Sequence, residues 1–252
     1  MSIDPRHYRA PARLLHGRNV LVTGASEGVG RAAACSFAEH GATVVMLGRR
    51  QDALEATYDA ITARGGPEPI IQVLDLATAT EEQYAALAAQ VEDTLGCLHG
   101  LLHNAALLGP RRPLEQYPLK DWRSVMTVNA EAAFTLTKAL LPALREAPSA
   151  SVVFTTSGVG RRGRAYWGAY AVSKFAVEGL CQVFADEFGA ISQLRFNCIN
   201  PGAVNTAMRR AAYPAELPTR NPDPGAIMAA YLYLMGDDSI GLNGQSIDAQ
   251  AG

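Results

Sequence analysis

Seven short apolar runs, each separated from the next by a longer amphipathic segment, constrain this chain more than any other feature. They are NVLVTG (19–24), TVVMLG (43–48), PIIQVLDL (69–76), CLHGLLHN (97–104), ASVVFTT (150–156), LRFNCIN (194–200) and GQSIDA (244–249). Apolar runs of this length read as strands buried on both faces. Helical patterns fill the intervals. Asp52 with Glu55, and Thr80 with Gln83, each fit a capping box. Pro118 suits the first position of a long helix running to about Glu146. Another helix runs from about Tyr166 to Phe188 and stops at Gly189. Alternating strands and helices require a parallel sheet covered on both faces. Right-handed crossovers then favour a doubly wound α/β sheet of seven mainly parallel strands. No linker breaks the rhythm, so residues 1–252 read as one domain, with a polar lead-in over 1–18 and a proline-rich segment over 207–225.

Composition narrows the function classes. The net charge is −2 and the pI is about 6.2, which gives no electrostatic case for nucleic acid or membrane partners. No run of 18 apolar residues exists, and the lead-in lacks the apolar core of a signal peptide. Cys35, Cys97, Cys181 and Cys198 are scattered without a CxxC pair. They read as reduced thiols of a cytoplasmic protein, and no metal site is expected.

In a doubly wound sheet, ligands bind off the carboxyl ends of the strands. The first such loop is TGASEGVGRAAA (23–34), with Gly24, Gly28 and Gly30 between a strand and a helix. Glycines there permit a tight turn and a close backbone approach to a pyrophosphate, whose charge the helix N-terminus favours. The pattern therefore reads as a dinucleotide site on a Rossmann-type fold. After the second run the chain reads GRR (48–50), where an NAD-binding protein would carry an acid for the ribose 2′-hydroxyl. Arg49 instead suits the 2′-phosphate of NADP(H) through paired hydrogen bonds. Glu27, inside the glycine loop, pulls the other way.

A second cluster carries chemistry. Tyr170 and Lys174 are spaced i, i+4 and share a helix face. The chain has 22 Lys+Arg, yet only Lys120, Lys138 and Lys174 are lysines, so one at this spacing is conspicuous. An adjacent ammonium favours a phenolate, and bringing a tyrosine from pKa 10 to near 7 takes about 4 kcal/mol. Ser157 lies thirteen residues before Tyr170, just past a strand end, where it suits a developing oxyanion. Asn129 falls inside the long helix, a locally unfavourable position.

Taken together, the TGxxxGxG spacing, HNAA (103–106), and the set Asn129, Ser157, Tyr170 and Lys174 resemble the short-chain dehydrogenase/reductase family. Within it, GVGRRGRAYWGAYAVSKFA and YLMGDDS are most similar to the YciK-type subgroup. The resemblance covers about residues 17–250. It implies a catalytic tetrad of Asn129, Ser157, Tyr170 and Lys174. In it Tyr170 is general acid or base, Lys174 holds ribose hydroxyls, and Asn129 distorts its helix and holds a water on the lysine. It further implies cofactor contacts from Ser26 and Val29 in the glycine loop, from Asp75 and Leu76, from Asn104 and Ala105, and from Pro201, Gly202, Val204 and Thr206. His103 and Ala106 depart from the usual form of their motif. The same resemblance implies a homodimer or homotetramer, and a substrate lid over 207–225.

These readings lead to an NADP(H)-dependent oxidoreductase that moves a hydride between nicotinamide and a small carbonyl or alcohol. The alternative is a catalytically weak NADP(H)-binding sensor on the same fold, for which the tetrad would be superfluous. Tyr166, Arg162 and Tyr213 are the candidate substrate contacts. Arg49, Arg50, Arg111, Arg112, Arg161, Arg162, Arg164, Arg209 and Arg210 all follow strand ends, which suggests an electropositive mouth for an anionic substrate.

Overall fold

The computed structural model describes residues 3–251. Burial explains why the apolar runs are strands. β1 (Asn19–Thr23), β2 (Thr43–Gly48), β4 (Gly100–His103), β5 (Ala150–Thr155) and β6 (Leu194–Asn200) are buried along almost their whole length. β3 (Ile70–Val73) and β7 (Ser246–Asp248) are the more exposed edges. The strand order is β3-β2-β1-β4-β5-β6-β7, and every pairing among the described residues is parallel. Five runs are shorter as strands than as apolar stretches, because their ends leave the sheet as loops. Asp75, for example, turns the chain after β3 by accepting the Ala77 N–H.

Side chains alternate across the sheet with period two. Val20, Val22, Val44 and Met46 pack into a layer with α1 (Gly28–Glu39), α2 (Gln51–Thr62) and α8 (Met228–Met235). Leu21, Val45, Leu47, Phe154 and Phe196 face the opposite layer. That layer comprises α3 (Glu81–Leu95), α5 (Ala132–Glu146) and α6 (Gly168–Gly189). The order of strands reverses between β1 and β4, so a crevice opens at their carboxyl ends.

Local signals held unevenly. The Thr80–Gln83 capping box is formed. The Asp52–Glu55 box is not: α2 starts two residues earlier, with Arg50 at its cap and Asp52 in the first turn, where its charge suits the helix dipole. Pro118 is the cap of α4 (Leu119–Met126) rather than its first residue. The expected single helix to Glu146 is α4 and α5 joined by a π turn over Thr127–Glu131, with Asn129 at its centre. α6 begins at Gly168, so Tyr166 is not helical. Its φ of 69° lies in the left-handed region. The lead-in is docked rather than merely polar. Leu15 is fully buried, and Tyr8 packs edge-on to Tyr233 at 5.4 Å while its hydroxyl donates to Asp238 at 2.6 Å. No helix of the described residues is long and apolar enough to cross a membrane.

Phe196 joins both neighbours of the second layer, stacking on Phe184 at 5.1 Å and meeting Phe188 at 5.8 Å. Phe196→Ala is expected to destabilise the fold by about 3–5 kcal/mol, since that aromatic sits in a close-packed layer. Urea unfolding measures this, and a loss below ~1 kcal/mol would contradict the packing.

Candidate active site

One long cleft of about 1110 Å³ runs along the carboxyl edge of the sheet. Its walls bring together almost every cofactor-side residue expected from the sequence. Gly24, Ser26, Gly28 and Val29 line it from the first loop, and Asp75, Leu76, Asn104 and Ala105 from the loops after β3 and β4. Pro201, Gly202, Val204 and Thr206 line it from beyond β6. Gly30 lies beneath the loop. A Cβ there would sit 2.2 Å from the Gly24 carbonyl oxygen and 2.5 Å from the Asn104 amide nitrogen. Gly24 itself has φ 68° and faces the Ala105 backbone, where a Cβ would come within 3.0 Å. The loop is thus a backbone cradle that side chains would fill, which fits a pyrophosphate against the α1 N-terminus.

The sequence reading missed Thr23. Its hydroxyl accepts the Asn104 and Ala105 N–H groups at 2.9 and 3.0 Å, which fastens the β4 loop to the end of β1. A hydroxyl closing an apolar strand was the only signal.

At the far end of the cleft, β5 and α6 gather the second cluster. Ser157, Trp167, Tyr170 and Lys174 line it together. Lys174 is 3% exposed, and its ammonium donates to the Thr155 carbonyl at 2.6 Å. Burial lowers its pKa to about 8. The ammonium lies 5.7 Å from the centre of the Tyr170 ring. The expected downward pull on the phenol does not prevail. Burial pushes Tyr170 up to about 12, and the hydrogen bond from the Ser157 side is a lesser influence in the other direction. The phenol therefore stays protonated near neutrality, the form a proton donor needs.

Asn129 is 3% exposed and spends its whole amide as a strut. Its nitrogen donates to the Leu107 carbonyl and the Ser173 hydroxyl, both at 2.9 Å, and its oxygen accepts the Leu107 N–H at 2.7 Å. The π turn delivers it inward, so the awkward residue in the helix pins the β4 loop to α6.

The candidate substrate residues fare differently. Tyr166 is 56% exposed and outside the cleft, and its neighbour Trp167 lines it instead. Arg162 is exposed beyond the cleft wall. Tyr213 also stands behind the wall, at the end of α7 (Ala207–Ala212), which occupies the expected lid segment. Its ring lies under Arg209 at 3.9 Å and Arg111 at 4.9 Å, and 6.0 Å from Trp167.

The arginine crowd is mostly spent on structure. Arg209 grips Glu216 with bonds of 2.6 and 2.7 Å, and Arg161 pairs with Glu178 and Asp248. Arg111 lies over Trp167 at 4.6 Å and donates to the Ala212 carbonyl. Arg50 pairs with Glu27 at 2.9 Å, which neutralises the acid that argued against a phosphate. Arg49 lines the cleft without an ion-pair partner among the described residues. Arg31 and Arg64, absent from the sequence reading, line the same end. Their positions depend on how α1 and α2 pack, which no local motif announces.

The fold agrees with the relatives. Residues 18–217 match the short chain dehydrogenase family, and the chain belongs to it. It is 48% identical over 246 residues to the oxidoreductase YciK of Escherichia coli (strain K12), covering 98% of this chain and 97% of that protein. A short chain dehydrogenase structure from Pseudomonas syringae superposes with a TM-score of 0.93 at 55% identity, over 96% of this chain and 99% of that one. One from Shigella flexneri 2a, solved as a complex with NADP, gives a TM-score of 0.93 at 48% identity. It covers 96% of this chain and 100% of that one. The protein is thus an oxidoreductase of the short chain dehydrogenase family.

Gly30→Ala is expected to weaken dinucleotide binding by more than about tenfold, because the added methyl collides with backbone that cannot yield. Calorimetric titration reads the change, and unaltered affinity would show that the loop is not the cradle.

Proposed function

We propose that this protein is an NADP(H)-dependent carbonyl reductase or alcohol dehydrogenase in which Tyr170 is the general acid and base. The observation that carries the proposal is the convergence of Ser157, Tyr170 and Lys174 on one end of a cleft whose other end is a glycine cradle with a free arginine. The cradle residues would hold the pyrophosphate, Arg49 the 2′-phosphate and Lys174 the ribose hydroxyls. A bound nicotinamide supplies the hydride in reduction and accepts it in oxidation.

The protein's own residues do the rest. Ser157 donates a hydrogen bond to the carbonyl oxygen as charge gathers there. Tyr170 gives that oxygen its proton, which its high pKa keeps available. In oxidation the same phenol must act as a base, which the buried free protein disfavours. Lys174, protonated below about pH 8, keeps a positive charge near the phenolate left behind. The NADP complex of the Shigella flexneri relative supports the cofactor assignment, as does an NADPH complex of a short chain dehydrogenase from Escherichia coli CFT073.

The walls favour an uncharged substrate over the anionic one suggested by the arginine count. Tyr170 is packed among Trp167, Ala171 and Ala212, with Leu108 and Met208 alongside. Three of the nine arginines are paired with acids: Arg209 with Glu216, Arg161 with Glu178 and Asp248, and Arg50 with Glu27.

Two experiments follow. NADPH should bind at least about tenfold tighter than NADH, a difference of about 1.4 kcal/mol, and Arg49→Asp should narrow or reverse it. Equal affinities in the wild type would end the assignment. In an NADPH-oxidation screen, neutral apolar ketones should outperform matched keto acids with no salt dependence. Tyr170→Phe should keep NADPH binding while kcat drops by two or more orders of magnitude, roughly the contribution of a general acid. Retained turnover in that variant would refute the role of Tyr170. A wild type that binds NADPH and turns over nothing would favour the sensor.

A further inference from the structure

Three arginines of the carboxyl edge meet around Tyr213. Arg209 lies over its ring at 3.9 Å and Arg111 at 4.9 Å, while Arg164 donates to its hydroxyl at 3.2 Å. Arg111 also lies over Trp167, at 4.6 Å, and donates to the Ala212 carbonyl. The two rings are themselves 6.0 Å apart. Arg111 is therefore a pin shared by aromatic rings on different elements: Trp167 caps α6, and Tyr213 ends α7. The buried Trp167 indole N–H has no hydrogen-bond partner among the described residues, so ring contacts hold this side chain.

The pin stands on a stiff arm. Arg111 belongs to the loop after β4, and Tyr117 of that loop lies directly on the first residue of α6. A Cβ at Gly168 would come 2.3 Å from the Tyr117 ring, and one at Gly109 would strike its hydroxyl. Both glycines have positive φ, 40° and 65°, so only glycine lets the backbone pass this close. Tyr117 also meets Trp122 of α4 edge-on at 6.1 Å, and Asn129 ties Leu107 of the same loop to Ser173 of α6. α7 has no such anchorage of its own. It is six residues long and buries only Ala212. A helix that short does not hold itself in water, so its place is set by what it packs on. Met208 and Tyr213 pack on the cluster of Trp167, Tyr170 and Ala212.

We infer that Arg111 is a positioning residue that sets the size of substrate this enzyme accepts. By bridging Trp167 and Tyr213 it holds α7 against α6, and so fixes how far Met208 and Ala212 stand from Tyr170. A guanidinium suits the task, because it can lie on aromatic faces while its N–H groups still reach a carbonyl. With the pin in place, Leu108, Trp167, Met208 and Ala212 wall the cleft beside Tyr170 and admit a compact carbonyl compound. A bulkier one requires α7 to lift and the stack to break. The inference rests on the proposed reading of this end of the cleft as the substrate end.

The other two arginines do not share this role. Arg209 stands one turn before Tyr213 on the same short helix, and its carboxylate partner Glu216 follows in the same segment. That part of the stack stiffens the lid internally without joining it to α6. Arg164 does cross from the neighbourhood of α6, but through one hydrogen bond to the Tyr213 hydroxyl. Arg111 is the member that joins ring to ring, and it adds a bond to the α7 backbone.

The test uses the full-length protein and two readouts. Hydrogen exchange of the 207–213 amides measures how often α7 lifts. The ratio of kcat/KM for acetophenone to that for acetone measures how large a substrate the cleft admits. In Arg111→Ala, exchange over 207–213 should quicken about five- to tenfold, the scale of one partly desolvated cation–π contact. The acetophenone-to-acetone ratio should rise by a similar factor, carried by KM, with NADPH affinity unchanged. Tyr213→Leu should reproduce both changes, and adding Arg111→Ala to it should do little more, since the two remove a shared contact. Tyr213→Phe keeps the ring and loses only the bond from Arg164, so it should stay close to wild type, as should Arg112→Ala. Unchanged exchange in a folded Arg111→Ala, full additivity with Tyr213→Leu, or faster exchange with an unchanged ketone ratio overturns the inference. If Arg111→Ala fails to fold, the contrast of Tyr213→Leu with Tyr213→Phe decides on the same readouts. A wild type that reduces neither ketone counts against the proposed function instead, and the exchange data still judge the pin.

Discussion

A buried ammonium on a backbone carbonyl is the contact on which this site depends. Lys174 reaches from α6 to the Thr155 carbonyl at the end of β5 and is almost inaccessible. A cation in such a place is costly unless its donors are used. The bond to Thr155 uses one donor and ties α6 to the sheet. It also fixes where Tyr170 stands, one turn earlier on the same face. The π turn supplies the opposing anchor: Asn129 joins α6, through Ser173, to the loop after β4. Strand end, helix and loop are thereby held from two sides.

The electrostatics of this arrangement are set by dryness more than by charge pairing. A lysine one turn away suggests a phenol tuned towards neutrality. The structure shows both groups displaced towards their neutral forms, the tyrosine to about 12 and the lysine to about 8. Desolvation opposes the charged form of each, and at 5.7 Å from the ring the ammonium does not overcome it. At neutrality the phenol therefore keeps its proton.

Much of this was legible in the sequence, for reasons that particular residues make clear. The glycine loop, Asp75, Asn104 and the segment after β6 are local patterns on strand ends, and a parallel sheet necessarily gathers strand ends along one edge. Tyr170 and Lys174 were legible because four residues make a helical turn. What failed was what local pattern cannot carry. Tyr166 was read as helical because its spacing to Tyr170 is right, but helix α6 starts at Gly168. The π turn at Asn129 was visible only as an ill-placed polar residue. The acidic partners of Arg50, Arg161 and Arg209 could not be read either, since Glu178 and Asp248, for example, are distant from Arg161 in the chain. Trp167 was passed over for the tyrosines beside it, and Thr23 for the glycine that follows it.

In the proposed function the glycine cradle and the Tyr170 cluster are two ends of one cofactor site. A crystal structure of the NADPH complex tests it most directly. The 2′-phosphate should lie against Arg49, and the nicotinamide beside Ser157 and Tyr170, with the ribose within reach of Lys174. A cofactor whose nicotinamide lies beyond reach of Tyr170, or whose 2′-phosphate points away from Arg49, would contradict it.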